Sequence, residues 1–202
     1  MRELSSKPRT DAQKSATKRL LMASPKAKAI TWCKEAIDAG LVMIDTETTD
    51  LDGVVIQIAA VCCKTGETLY SSLVHTEREI AQEAQDIHGI SASMLEGAPT
   101  PEKVSRELEA VLKGREWTAF NLAFDRNAVE RTFSGGWVSA TAERCAMRLA
   151  AKIFGATNSY GTISLFSAME RAGVKWEGQA HDAEADAKGA AKLLKKISEI
   201  EL

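Results

Sequence analysis

Four acidic residues lie where the hydrophobic pattern of this 202-residue chain calls for apolar side chains. Asp45 directly follows the apolar run 41–44, and Glu47 comes two residues later, so a strand would present both carboxylates on one face, about 7 Å apart. Asp125 and Asp186 each lie on the apolar stripe of a predicted amphipathic helix. Because buried carboxylates are costly unless they are paired or bind a cation, the four acids favour a shared site.

The type of ligand indicates which cation such a site would bind. Carboxylate oxygens suit Mg²⁺ or Mn²⁺ better than zinc. No Lys or Arg is placed by local spacing to neutralise the four acids together. Taken singly, each acid is more simply interpreted as a capping, exposed or salt-bridged side chain, because an isolated D-x-E pattern is a weak signal. The combination favours a divalent-cation site.

His181 is the candidate proton acceptor. It directly precedes Asp182, the predicted N-cap of the helix that carries Asp186. The unperturbed pKa of a histidine, about 6.5, suits removal of a proton from water near neutral pH. His75 and His88 can each be interpreted as ordinary surface residues. His181 differs from them because it lies just before the helix that carries Asp186.

The elements that would position these residues indicate an α/β fold. Three runs rich in apolar and β-branched residues, beginning at 41–44 and continuing at 54–63 and 68–74, predict an antiparallel meander. Helices are expected over 25–39, 77–86, 101–113, 122–133, 143–153, 164–172 and 182–200, with short extended segments near 117–120 and 137–138. This order predicts a mixed sheet, with an antiparallel meander plus parallel strands, flanked by helices.

Composition and charge divide the chain into two unequal parts. Its 45% hydrophobic and 27% charged residues are ordinary for one globular domain. The net charge is −2, yet residues 1–28 contain eight Lys or Arg against two acidic residues. We therefore expect a basic N-terminal arm over 1–28, mobile over 1–9 and helical over 10–22. One folded domain over 29–202 follows, with the helix 25–39 leading into it.

The sequence has no features of a membrane span or an export signal. No apolar run approaches the roughly 18 to 20 residues of a spanning helix, and no apolar segment with a cleavage site follows the basic start. The four cysteines lack zinc-binding spacing. We expect a soluble, cytoplasmic protein with reduced thiols.

Three ordered segments carry a family resemblance. Ile44-Asp45-Thr46-Glu47-Thr48-Thr49, Asn121-Leu122-Ala123-Phe124-Asp125 and His181-Asp182-Ala183-Glu184-Ala185-Asp186 resemble the three motifs of the DEDDh, or DnaQ-like, 3′-5′ exonucleases. Ile87-His88-Gly89-Ile90 is similar to the family's "HGI" element, and the likeness covers about 41–197. The resemblance implies a ribonuclease H-like fold, two Mg²⁺ or Mn²⁺ ions, and release of nucleoside 5′-monophosphates from a 3′ end.

The resemblance also implies a role for each matching residue. The metal ligands would be Asp45, Glu47, Asp125 and Asp186, and the general base would be His181. Thr48 and Leu51 would lie beside the terminal nucleotide, Phe124 near the scissile segment, and His88 would help to hold the 3′ end. Two positions depart from the family pattern: Asp50 replaces the usual glycine after the Thr-Thr pair, and Asp182 adds a negative charge beside the base.

The resemblance leaves several alternatives open for substrate and role. We expect a partner nucleic acid with a free 3′ end, with single-stranded DNA favoured and RNA possible, which keeps a 3′-5′ exoribonuclease as an alternative. A non-catalytic nucleic-acid-binding or polymerase-partner module is the other alternative, although none of the five catalytic residues is lost. A polymerase or repair partner, in proofreading or DNA repair, and a monomer or a homodimer are compatible with the sequence. For the basic arm two interpretations stay open: it follows the substrate backbone, or it is a solvated tail with a helix packed on the core.

Overall fold

The computed structural model describes residues 10, 11, 15, 19, 20 and 22–201. The arm predicted over 1–9, and most of the helix predicted over 10–22, lie outside the described residues. The described helices and strands, in chain order, are α1 (Pro25–Asp38), β1 (Val42–Thr48), β2 (Val55–Cys62), β3 (Thr68–Leu73), α2 (Gln82–His88), α3 (Pro101–Leu112), β4 (Trp117–Ala119), α4 (Leu122–Thr132), α5 (Ala146–Phe154), α6 (Leu165–Ala172) and α7 (Ala183–Ser198). Two short 3₁₀ helices cover Ala92–Leu95 and Gly136–Ser139.

A four-stranded mixed sheet forms the centre of the fold. Its strand order is β3-β2-β1-β4, with β1, β2 and β3 antiparallel and β4 parallel to β1. The parallel pairing is short and ends where Ile44 lies opposite Ala119. The predicted meander plus parallel strand, flanked by helices, is confirmed. Because β4 ends early, the second half of β1 has one unpaired edge.

Alternate residues of β1 face two different cores. Met43, together with Leu41 just before the strand, packs with α1, α5, α6 and α7 on one side of the sheet. Val42 and Ile44 pack with α3, α4 and Trp117 on the other side. Since side chains alternate along a strand, Asp45 continues the first face toward α7, and the next residue continues the second face toward α4.

Two predicted elements differ from the structure. The helix expected over 77–86 is instead Gln82–His88, because the backbone before it is tied to the sheet: the Ala81 amide donates to the Thr49 carbonyl oxygen at 2.9 Å. The extended segment expected near 137–138 is a 3₁₀ helix, in which Trp137 is buried against Trp117. An indole that large is accommodated there by core packing rather than by strand pairing.

None of the helices in the described part of the chain combines the length and apolarity that a membrane crossing requires.

Candidate active site

The end of β1 presents two acidic side chains to α7. Asp45 and Glu47 are both half-buried and lie on the face of the strand that α7 covers. Glu47 lies opposite Gln57 of β2, and the pairing register shifts directly after it. The two-residue spacing therefore places both carboxylates on one face, as the sequence predicts.

Asp125 reaches the same region from the other side of the strand. It lies in the first turn of α4 and is 3% exposed. Its Oδ1 atom accepts hydrogen bonds from the Thr46 amide at 3.1 Å and from the Thr46 hydroxyl at 2.9 Å. The Asp125 carboxylate thus accepts from the Thr46 amide, which lies on the edge of β1 that β4 leaves unpaired. These hydrogen bonds connect α4 to β1.

The third contribution comes from α7 and the loop before it. Asp182 caps the helix, as predicted, because its Oδ1 accepts from the Ala185 amide at 3.0 Å. Its Oδ2 accepts from the Gln57 side-chain amide at 2.9 Å, and the Gln57 Oε1 accepts from the Ala183 amide at 3.1 Å. Gln57, which the sequence analysis did not identify, therefore ties the start of α7 to β2 through both ends of its amide.

This tie also constrains His181, whose backbone is in the left-handed region with φ of 61°. Non-glycine residues rarely adopt this conformation unless their surroundings impose it. The adjacent Asp182, which caps α7, is held in place because its carboxylate accepts hydrogen bonds from the Ala185 amide and the Gln57 side-chain amide.

Two of the predicted cation ligands and the predicted proton acceptor converge at the end of β1. One ligand atom each from Glu47, His181 and Asp186 lie within 4.8 Å of one another. The Oδ1 atom of Asp186 is buried and accepts no hydrogen bond. An unsatisfied buried carboxylate oxygen is costly, so an oxygen-binding cation would complete this cluster. The residues present therefore fit Mg²⁺ or Mn²⁺.

Electrostatics link Asp45 and Asp125 to this cluster. Burial, followed by the charges of Asp125, Asp186 and Glu47, raises the pKa of Asp45 well above its ordinary value. Burial and the neighbouring Asp186 and Asp125 raise the pKa of Glu47 to about 8. Burial raises the pKa of Asp125 to about 7, although the hydrogen bonds from Thr46 lower it. Burial also raises the pKa of Asp186 to about 6. Without a cation, proton binding to these carboxylates extends toward neutral pH, further for Glu47 than for Asp186.

The predicted substrate-side residues line a cleft beside the acidic cluster. The cleft has a volume of about 530 Å³ and includes Glu47, Thr48, Leu51, His88 and Phe124. Leu51 is 82% exposed, which leaves an apolar side chain available for a ligand.

His88 is buried rather than a surface residue. Its Nδ1 accepts from the Ile90 amide at 2.9 Å, and its Nε2 is buried without a partner. Burial lowers the pKa of His88, so the neutral ring offers an N–H donor from Nε2.

The raised carboxyl pKa values predict how the stability of the metal-free protein depends on pH. A carboxyl group whose pKa is raised in the folded protein binds protons more tightly in the folded state than in the unfolded state. Its stabilising effect is therefore complete at low pH and is lost as the pH rises through the folded-state pKa. For Glu47, this window lies between its ordinary pKa and about 8. We expect the chelator-treated protein to melt about 5 °C lower at roughly pH 8.5 than at roughly pH 6.

Thermal denaturation followed by calorimetry, with chelator and with saturating Mg²⁺, checks this prediction. Mg²⁺ should reduce the difference between the two pH values, because the cation replaces the protons. Equal pH dependence with and without Mg²⁺ would contradict the assignment of a shared cation site.

Comparison with known proteins gives the family. A family model described as an exonuclease, RNase_T, matches residues 42–194, which span all three acidic segments. The chain belongs to this exonuclease family, the DnaQ-like or DEDDh family. The predicted ribonuclease H-like architecture is confirmed by its structural neighbours within the family.

Three relatives illustrate the breadth of the DnaQ-like family. Exodeoxyribonuclease 10 of Escherichia coli is 33% identical over 115 residues, which cover 55% of this chain and 47% of the relative. The chain thus spans about half the length of this relative. A structure of exonuclease X in complex with 5′-overhanging duplex DNA has a TM-score of 0.55 and 25% identity, covering 76% of this chain and 89% of that one.

The third relative shows the same fold at lower identity. The nuclease domain of 3′hExo, a DEDDh family member bound to rAMP, has a TM-score of 0.58 and 14% identity, covering 77% of this chain and 89% of that chain.

Proposed function

We propose that this chain is a divalent-metal-dependent exonuclease that removes nucleoside 5′-monophosphates from the 3′ end of nucleic acid, with single-stranded DNA as the favoured substrate. The observation that carries the proposal is the convergence of Glu47, His181 and Asp186 within 4.8 Å around a buried carboxylate oxygen that has no hydrogen-bond partner. The DNA preference is supported by the relatives described as an exodeoxyribonuclease and as an exonuclease bound to DNA.

The acidic residues and His181 have different tasks in this reaction. Asp45, Glu47, Asp125 and Asp186 hold the cations, and Thr46 fixes the orientation of Asp125. Two divalent cations, when bound, supply the positive charge that stabilises the reacting phosphodiester. The exposed His181 accepts the proton of the attacking water as general base.

The cleft of about 530 Å³ has a suitable size for the terminal nucleotide. Leu51 and Phe124 offer apolar contacts to its base and sugar, because both line the cleft. The Nε2–H of the neutral His88 is a hydrogen-bond donor for an oxygen of the 3′ end.

A product-ladder assay tests the polarity, the metal requirement and the substrate class together. Single-stranded DNA and RNA of matched sequence, each labelled at the 5′ end, are incubated with Mg²⁺, with Mn²⁺ or with chelator. We expect labelled products that shorten one nucleotide at a time in either metal, faster for DNA, and no products with chelator.

Other outcomes identify the alternatives. Immediate release of a labelled mononucleotide would contradict the 3′-5′ polarity, and cleavage in chelator would contradict the metal requirement. Faster digestion of RNA would identify an exoribonuclease, and binding without cleavage would identify a non-catalytic nucleic-acid-binding module.

A further inference from the structure

A second cleft, of about 500 Å³, adjoins the first turn of α4. Phe124 faces the substrate cleft described above, whereas Leu122, Ala123 and Arg126 line this second one. Its cationic side chains are Lys28, Arg126, Arg144, Arg148 and Lys152. Glu143 is the one acidic residue that lines it. We call this cleft the basic groove.

The cations of the basic groove are poorly neutralised by the protein. Within the part of the chain that the structure describes, no carboxylate lies within 4.0 Å of the charged groups of Lys28, Arg144, Arg148 or Lys152. Arg126 has one distant partner, with 3.9 Å between its Nε and an oxygen of Glu130. Since like charges repel, such a cluster favours the binding of an anion.

The basic groove is built on fixed elements rather than on a loose surface. The guanidinium of Arg144 lies 5.7 Å from the ring centre of Trp32, and the Arg144 carbonyl accepts from the Thr118 hydroxyl at 2.9 Å. Arg148 and Lys152 follow on one face of α5, one turn apart. A smaller cleft of about 230 Å³ continues past these two residues to Gly161.

The shape of the basic groove suits a chain of phosphates. At a helical rise of about 1.5 Å per residue, Arg148 and Lys152 are separated by about 6 Å along α5, and Arg144 lies two residues before the helix begins. Successive phosphates of a stacked strand are about 3.4 Å apart along its axis, so Arg148 and Lys152 match the spacing of about two of them.

We propose that the basic groove binds the phosphodiester backbone of the substrate strand, beyond the nucleotide held at the acidic cluster. The inference rests on the proposed function. The groove adjoins the acidic cluster, because Asp125 of the cluster and Arg126 of the groove are consecutive residues of α4. The acidic cluster itself repels phosphates, so the groove supplies the attraction for the strand that the active site lacks.

The double substitution Arg148→Gln/Lys152→Gln tests the proposal. Binding of a long fluorescent single-stranded oligonucleotide is measured by anisotropy in chelator, across a range of salt concentrations. Each phosphate contact on a single strand contributes about 0.7 to the slope of log affinity against log salt. We therefore expect the slope to flatten by about 1.4 and the affinity at about 0.1 M salt to fall about 25-fold.

Two matched variants identify the origin of this loss. Lys103→Gln/Lys113→Gln removes the same charge from exposed positions of α3 and its C-terminal end that line neither cleft, and its binding should match wild type. Arg148→Lys/Lys152→Arg keeps the charge and should keep the slope. Thermal melts verify that all three variants fold.

Binding in chelator does not depend on hydrolysis, so the test is independent of the ladder assay. An unchanged slope for Arg148→Gln/Lys152→Gln overturns the proposal even if the wild type digests DNA. Equal losses in the α3 control overturn it as well, because the effect would then come from net charge. Equal affinity and salt slope for a polyglutamate chain would overturn nucleic acid as the ligand.

Discussion

Asp45→Asn is expected to reduce nuclease activity by about 10³-fold or more while making the metal-free protein more stable. Asp45 is surrounded by Asp125, Asp186 and Glu47, whose charges together with burial raise its pKa. The neutral amide removes a cation ligand and also removes repulsion within the cluster. Single-turnover digestion measures the first effect. Calorimetry in chelator at about pH 8 should show a melting temperature about 5 °C higher.

The matched control for this substitution is Asp38→Asn. Asp38 is the exposed last residue of α1, and its one ion pair among the described residues is a 3.9 Å contact with the exposed Lys64. The activity and the melting temperature of the Asp38→Asn variant should equal those of wild type. Digestion by Asp45→Asn at the wild-type rate would remove Asp45 from the metal site, and a lower metal-free melting temperature would contradict the repulsion that we describe.

Substitution of His181 is expected to have the second-largest effect. His181→Ala should lose on the order of 10² to 10⁴ in kcat and still bind single strands, because a general base contributes about this much to the rate. The pH–rate profile, measured at saturating Mg²⁺, should change on its acid side when the imidazole is removed. Measurement of kcat between about pH 5 and pH 9, alongside binding in chelator, checks both expectations.

The backbone of His181 requires a second variant. With φ of 61°, alanine at this position is strained, whereas glycine adopts the conformation freely. His181→Gly should therefore lose as much activity as His181→Ala if the imidazole does the chemistry. Near-wild-type activity in His181→Gly would show that this position has a conformational role instead. An unchanged pH profile in both variants would remove His181 from the mechanism.

The acidic cluster could be predicted because local periodicity reports which side chains face inward. The two-residue repeat of a strand places the side chains of Asp45 and Glu47 on one face. The 3.6-residue repeat of a helix places Asp125 and Asp186 on the buried stripes of their helices. The structure brings these segments to one end of β1. Their roles in catalysis remain predictions that the variants above test.

Features that depend on tertiary contacts could not be predicted in this way. Gln57 is a single polar residue in a strand, and its partner Asp182 is 125 positions away in the sequence. The basic groove combines Lys28 with cations of α4 and of the α5 region, which have no common spacing. The start of α2 differs from the prediction because the hydrogen bond between Ala81 and Thr49, just after β1, has no signal in the local sequence.

The order in which the chain supplies the acidic cluster affects when activity can arise during synthesis. Asp45 is made first, Asp125 next, and His181 and Asp186 only with α7, which also covers one face of β1 and β2. Domains generally fold as units during synthesis, so a nascent chain that lacks α7 leaves this sheet face uncovered, with Asp45 and Glu47 on it lacking their partners from α7. Such a chain cannot assemble the cluster, and on the proposed function it is inert toward the nucleic acids around the ribosome.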